Sequence, residues 1–131
     1  MTEETRSTRA DREATEAAMT ASVVALLEAK GAVTFAEIAE LPRFGEGAKP
    51  LFANDPANNV VLWTALTPAG ITTLSRMFED GMIKTVLNPQ EAIRLLYFAL
   101  GSGLPMPIAK SFGPFQRPRW LPALVELRSD S

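Results

Sequence analysis

Apolar positions recur with helical spacing in three stretches of the chain, and with an extended pattern in several shorter ones. The best defined is Thr67–Leu87, TPAGITTLSRMFEDGMIKTVL. Thr67 suits an N-cap, and Pro68 fits the first helical turn, where its missing N–H is no loss. Ile71, Leu74 and Phe78 fall at i, i+3 and i+7, which predicts one buried face over 67–80. Gly81 then offers the left-handed stop, and Met82–Leu87 changes to an extended, β-branched pattern. Upstream, Ala10–Lys30 is rich in Ala, Leu and Glu, with Ala14, Ala17, Ala21, Val24 and Leu27 as a helical stripe ending at Gly31. In Val33–Leu41, Thr34 and Glu37 have capping-box spacing and Val33 with Ile38 forms a staple. Phe35, Ile38 and Leu41 give this short helix its buried face, and Pro42 ends it.

Between these stretches the pattern is weaker. Residues 42–59 are dense in Gly, Pro, Asn and Asp and read as a long connection anchored by Leu51 and Phe52. Val60–Trp63 reads as a short buried strand; the alternative is a helix capped by Asp55 with Pro56 at its first position. The poor helix formers Asn58, Asn59, Val60 and Val61 favour the strand. Asn88-Pro89-Gln90-Glu91 suits either a helix start or a turn. Ala92–Leu100 is apolar on every side except Arg94 and contains the β-formers Ile93, Tyr97 and Phe98. We take it as a strand pairing with 82–87, and Leu104–Lys110 as a further edge strand that tolerates its prolines. Residues 111–131 read as an extended tail, with Phe115, Trp120 and Leu124 laid over the core. Residues 1–9 read as a disordered, solvated arm whose acids offset Arg6, Arg9 and the nearby Arg12.

A helix closing on Leu74-x-x-x-Phe78-x-x-Gly81-x-Ile83 and running directly into a strand resembles the third helix and first wing strand of a winged helix-turn-helix domain. The 33–41 phrase is similar to the second helix of bacterial and phage winged-helix regulators. This resemblance covers residues 14–41 and 66–100 and implies an α+β fold: three helices and a small antiparallel wing sheet within residues 10–110. The departure lies in the connection between helices two and three. A standard helix-turn-helix uses about three or four residues there, whereas this chain has about 25.

Composition narrows the chemistry. The chain has no cysteine and no histidine, which excludes disulfides, thiol catalysis, imidazole-based triads and structural zinc. No phosphate loop, dinucleotide turn or calcium-loop spacing is present. The expectation is a non-enzyme without cofactor or metal. No apolar run approaches the ~20 residues of a membrane span, so the expectation is a cytoplasmic protein with no membrane partner. Net charge is −2 and the pI about 5.2, against pI above about 9 for typical nucleic-acid-binding domains. The balance is uneven: residues 1–46 hold five Lys/Arg against nine Asp/Glu, and 47–131 hold eight against six.

The winged-helix resemblance implies duplex DNA as partner, read by the 67–80 helix and the wing, in a regulatory or architectural role. The residues it singles out are Thr67, Thr72, Thr73 and Arg76 on the helix and Lys84 and Arg94 on or near the wing. Threonines meet phosphates or thymine methyls, and arginine pairs with guanine. Glu79 and Asp80 at the helix end would repel phosphate. The competing reading is a protein-interaction winged helix serving as a subunit or adaptor, which the acidic pI and the apolar tail favour. A homodimer through the 10–30 helix is compatible with both.

Overall fold

The computed structural model describes residues 2–53 and 55–128, with side chains from Ala14 onward. It has mixed α+β architecture, with four helices and two small three-stranded sheets among the described residues.

The first helix, α1, runs Thr2–Lys30 and so reaches back through the segment expected as a disordered arm. The side chains of Arg6, Arg9 and Arg12 lie outside the described set. The stripe that α1 buries is Met19, Val23 and Leu27, while Ala14, Ala17 and Ala21 stay exposed and Val24 is half-buried. The larger apolar residues thus take the core-facing side, rotating the helix away from the expected alanine stripe. After Gly31, whose φ is +84°, a short strand β1 (Ala32–Thr34) leads into α2 (Phe35–Ala39). The capping box is present in full. Thr34 Oγ1 accepts from the Glu37 N–H at 3.1 Å, and Glu37 Oε1 accepts from the Thr34 N–H at 3.0 Å.

The long connection is only partly irregular. It contains β2 (Lys49–Phe52), which pairs antiparallel with β3 (Val60–Leu66), matching Leu51 with Trp63. The strand reading of Val60–Trp63 holds. The alternative survives in miniature: Asp55 caps a single 3-10 turn, Pro56–Asn58, which the left-handed Asn59 ends. Phe44, fully buried, is the main anchor of the connection, alongside Leu51.

Helix α3 (Pro68–Glu79) starts on Thr67 and stops at Gly81 with φ +72°, as its capping pattern requires. Strand β4 (Ile83–Val86) follows. Its partner is not the 92–99 segment. That segment is helix α4 (Gln90–Ala99), which buries Ile93 and Tyr97 at i, i+4. Ala92, Leu95, Leu96 and Ala99 are good helix formers, and with the Asn-Pro start they outweigh the β preference of Ile93, Tyr97 and Phe98. The predicted edge strand at 104–110 is reduced to one parallel bridge, Ile108 to Trp120.

The C-terminal residues close the fold. Strand β5 (Arg119–Trp120) runs parallel to β3, and β6 (Leu124–Leu127) is the central strand of a β1-β6-β4 antiparallel sheet. Val125 of β6 sits between Val33 and Thr85. A segment expected to cover the core therefore builds it: Trp120, Leu121, Ala123 and Val125 are all buried. Leu124 and Phe115 are half-buried. Both sheets and all four helices contribute to one hydrophobic cluster. No described helix is long and apolar enough to cross a membrane.

Candidate functional site

Two outward helix faces are the candidates, those of α3 and α4. On α3 the side chains facing inward are Gly70, Thr73, Leu74 and Met77, with Ile71 and Phe78 half-buried. The buried arc is therefore turned from the expected 71/74/78 face toward Thr73. This corrects one predicted contact. Thr73 is 1% exposed, and its Oγ1 has no hydrogen-bond partner. It faces the core and has no route to a DNA groove.

Thr67 is also committed. Its Oγ1 accepts from the Gly70 N–H at 2.9 Å and donates to the Arg43 carbonyl at 2.5 Å, while its own N–H donates to the Phe44 carbonyl at 2.9 Å. The positive end of the α3 dipole, the approach a phosphate would favour, thus lies beneath the 43–44 turn. Gly47 tightens the same junction: a Cβ there would stand 2.2 Å from the Leu66 carbonyl oxygen. Of the predicted helix contacts, Thr72 and Arg76 remain exposed, beside Pro68, Ala69 and Glu79.

The three predicted cations each have a carboxylate. Arg76 Nη1 is 3.0 Å from Glu16 of α1; that Glu16 oxygen is screened from solvent, and the pair lacks good hydrogen-bond alignment. Lys84 Nζ is 3.1 Å from Glu126, its cross-strand partner in the β4–β6 register. Arg94 pairs with Glu91 one helical turn away and lies over the Phe98 ring, 5.4 Å from its centroid. Its guanidinium holds the Glu91 carboxyl below the ordinary glutamate value. Exposed pairs of this kind contribute little to stability. Their effect on a polyanion is larger, because each cation arrives with its charge already offset. The predicted set also divides in space by element: Thr67 caps α3, Thr72, Thr73 and Arg76 lie on it, Lys84 is on β4, and Arg94 is on α4 rather than a wing strand.

The second face was not anticipated. Around α4 the inward residues are Ile93 and Tyr97, yet Leu95 is 55% exposed, Leu96 42%, Phe98 51% and Leu100 50%. Apolar side chains on a helix side that no other element covers are set against a partner more often than against water. Here one side is buried and the other is open. The sequence signal was visible, in that Arg94 alone interrupts the apolar run 92–100, but its helical reading depended on settling the Asn-Pro start.

This face is held firmly. Tyr97, fully buried, accepts from the Phe35 N–H at 2.8 Å and donates to the Ala123 carbonyl at 2.7 Å. Its ring lies 5.3 Å from Trp63 and edge-on to Trp120 at 5.1 Å. Phe98 in turn stands edge-on to Trp120 at 6.2 Å. Such edge-to-face pairs add about 0.5–1.5 kcal/mol each beyond burial. Burial pushes the Tyr97 phenol well above its ordinary value, so it stays a neutral donor.

A groove of about 400 Å³ separates the β2–β3 hairpin from α3, lined by Leu51, Phe52, Ser75, Phe78 and Glu79, with Phe112 at its lip. No group of three metal-ligating side chains occurs among the described residues. Comparison with protein-family models, with curated proteins and with solved structures returns no match.

Proposed function

We propose that the chain is a cytoplasmic, non-catalytic winged-helix protein whose work is protein–protein contact, with α4 as the contact surface. The winged-helix part of this reading is supported by element order and pairing. An α1–β1–α2–α3–β4–β6 path with an antiparallel β1-β6-β4 sheet is the arrangement expected of three helices and a two-stranded wing completed by the strand after α1. Two insertions elaborate it: the β2–β3 hairpin between α2 and α3, and residues 87–123 between the wing strands.

The observation that carries the function is the open apolar face of α4. Exposed Leu95 and Leu96, with exposed Ala92 and Ala99 between them on one side of a helix anchored through Tyr97, mark a contact surface. The α3 face offers much less. Two of its three threonines are spent on capping and core, its arginine is paired, and Glu79 and Asp80 close its far end.

One observation favours duplex DNA as a second reading. Lys110, Arg117 and Arg119 lie in the insertion between the wing strands, and none has a carboxylate partner among the described residues. Binding to mixed-sequence duplex across a salt series separates the two. The protein-contact reading expects no binding whose logarithm falls steeply with log salt; a steep slope that weakens in Arg117→Ala or Arg119→Ala would overturn it.

A further inference from the structure

We propose that the groove between the β2–β3 hairpin and α3 is a binding site for a small organic ammonium ion, with Glu79 as its counter-ion. Its volume of about 400 Å³ falls in the range of small-molecule sites, about 300–1,000 Å³. The hairpin is shaped toward it. Consecutive residues of a regular strand face opposite sides, yet Leu51, Phe52 and Ala53 all line the groove. The pairing gives the reason. Leu51 matches Trp63 and Phe52 matches Val61, so β3 carries one extra residue, Leu62, at this point. A bulge of this kind bends the strand and re-aims its side chains, and Leu62 lines the groove as well. The opposite wall is one face of α3, where Ser75, Phe78 and Glu79 stand at i, i+3 and i+4. Thr85 of β4 adds a second hydroxyl.

The lip is fixed in place. The Phe115 N–H donates to the Asn58 carbonyl at 3.0 Å, and Asn59 Nδ2 donates to the Phe115 carbonyl at 2.8 Å. Gly113, with φ +78°, comes so close that a Cβ would stand 2.8 Å from the Asn58 carbonyl oxygen. Phe112 is thereby presented at the groove mouth and left exposed.

The lining selects the charge of the ligand. Its polar side chains are the Glu79 carboxylate and the hydroxyls of Ser75 and Thr85, and its described residues include no lysine or arginine. Glu79 has no ion-pair partner among the described residues. It also ends α3, where the negative end of the helix dipole adds to its field; Arg128 lies against Gly81 at the same end, outside the lining. The rings of Phe52, Phe78 and Phe112 attract a cation over their faces, and Leu51 and Leu62 suit an apolar body. An anionic ligand would meet repulsion and find no counter-charge.

The experiment is an amide NMR titration of the full chain with three probes of similar size: phenethylammonium, phenethyl alcohol and phenylacetate. The ammonium probe is expected to shift the amides of Phe52, Ser75, Glu79 and Phe112, with Kd on the order of 1 mM. The alcohol is expected to bind about 10-fold more weakly and the carboxylate not measurably. Position 79 is exposed, so Glu79→Gln keeps the fold and is expected to bring the ammonium probe down to the level of the alcohol. An ammonium probe that leaves these amides unshifted overturns the proposal, as do shifts confined to α4. Alcohol or carboxylate binding as tight as that of the ammonium, or ammonium binding unchanged in Glu79→Gln, overturns it as well.

Discussion

Replacing Tyr97 with phenylalanine tests whether α4 is fixed to the body firmly enough to present a defined surface. The ring and its contacts with Trp63 and Trp120 survive the change; only the hydroxyl is lost. That hydroxyl serves two groups at once, the Phe35 N–H at 2.8 Å and the Ala123 carbonyl at 2.7 Å. Phe35 and Ala123 are each 0% exposed, so water does not replace the missing partner. Leaving one buried neutral group unpaired costs about 1–3 kcal/mol. With two groups and some local relaxation, the expected loss is about 2–4 kcal/mol. For a domain of this size the urea m-value is near 2 kcal/mol/M, so the midpoint should fall by about 1–2 M. Trp63 and Trp120 lie beside the ring and report unfolding by their emission. A midpoint shift below about 0.3 M would mean that the hydroxyl is solvated or dispensable, and that α4 is not clamped as described.

Four further outcomes follow from the same geometry. Thr73→Val replaces a buried, unpartnered hydroxyl by a methyl of similar size and should raise stability by up to about 1 kcal/mol in the same urea assay; a loss of that size would show the hydroxyl to be paired. Gly47→Ala sets a Cβ against the Leu66 carbonyl and should cost about 1–3 kcal/mol, by the usual penalty of overpacking; an unchanged midpoint would contradict the tight junction over α3. Burial tends to raise the Glu37 carboxyl, but the Lys30 ammonium and the Thr34 N–H and hydroxyl outweigh it and hold it below the ordinary glutamate value. A depressed carboxylate stabilises above its unfolded pKa and loses that contribution as pH falls through the folded one. Acid unfolding below about pH 4.3 should therefore be less steep in Glu37→Gln, and an identical acid limb would refute the link. Tyr97 is the single tyrosine. A raised phenol contributes its stability in full below the unfolded pKa and loses it as pH rises from there through the folded one, so tyrosinate absorbance should appear only with unfolding; titration near pH 10 in a folded chain would contradict its burial.

Local signals in the sequence were sufficient where one residue type had one physical use. Thr34 with Glu37, Thr67 with Pro68, and Gly81 each specified a helix end that the fold contains. Partnership across the chain was not legible. The β4 strand was visible, but its neighbour β6 lies some forty residues on, in a stretch whose prolines and aromatics suggested a cover. Segment 92–99 failed for a related reason. Its Ile, Tyr and Phe residues favour a strand, and only burial of Ile93 and Tyr97 on one side fixes the helix. The same ambiguity concealed the candidate surface, because an apolar run read as a strand disappears into a sheet. On α3, the choice between a 71/74/78 face and a 70/73/74/77 face turned on a glycine and a threonine packing inward. Gly70 faces in because Phe44 lies over it; a Cβ there would be 3.1 Å from that ring.

If the outward side of α4, and not that of α3, meets the partner, a crosslinker placed on each face should tell them apart. A photoreactive benzoylphenylalanine is introduced at Leu95 or at Thr72 in the full chain and irradiated in cells that produce it. Both positions are exposed, so each probe is presented without disturbing the core. A discrete protein adduct is expected from position 95, reduced when Phe98 is also changed to Glu, and none from position 72. An adduct with DNA or protein from position 72, with position 95 silent, would contradict the assignment of the contact to α4.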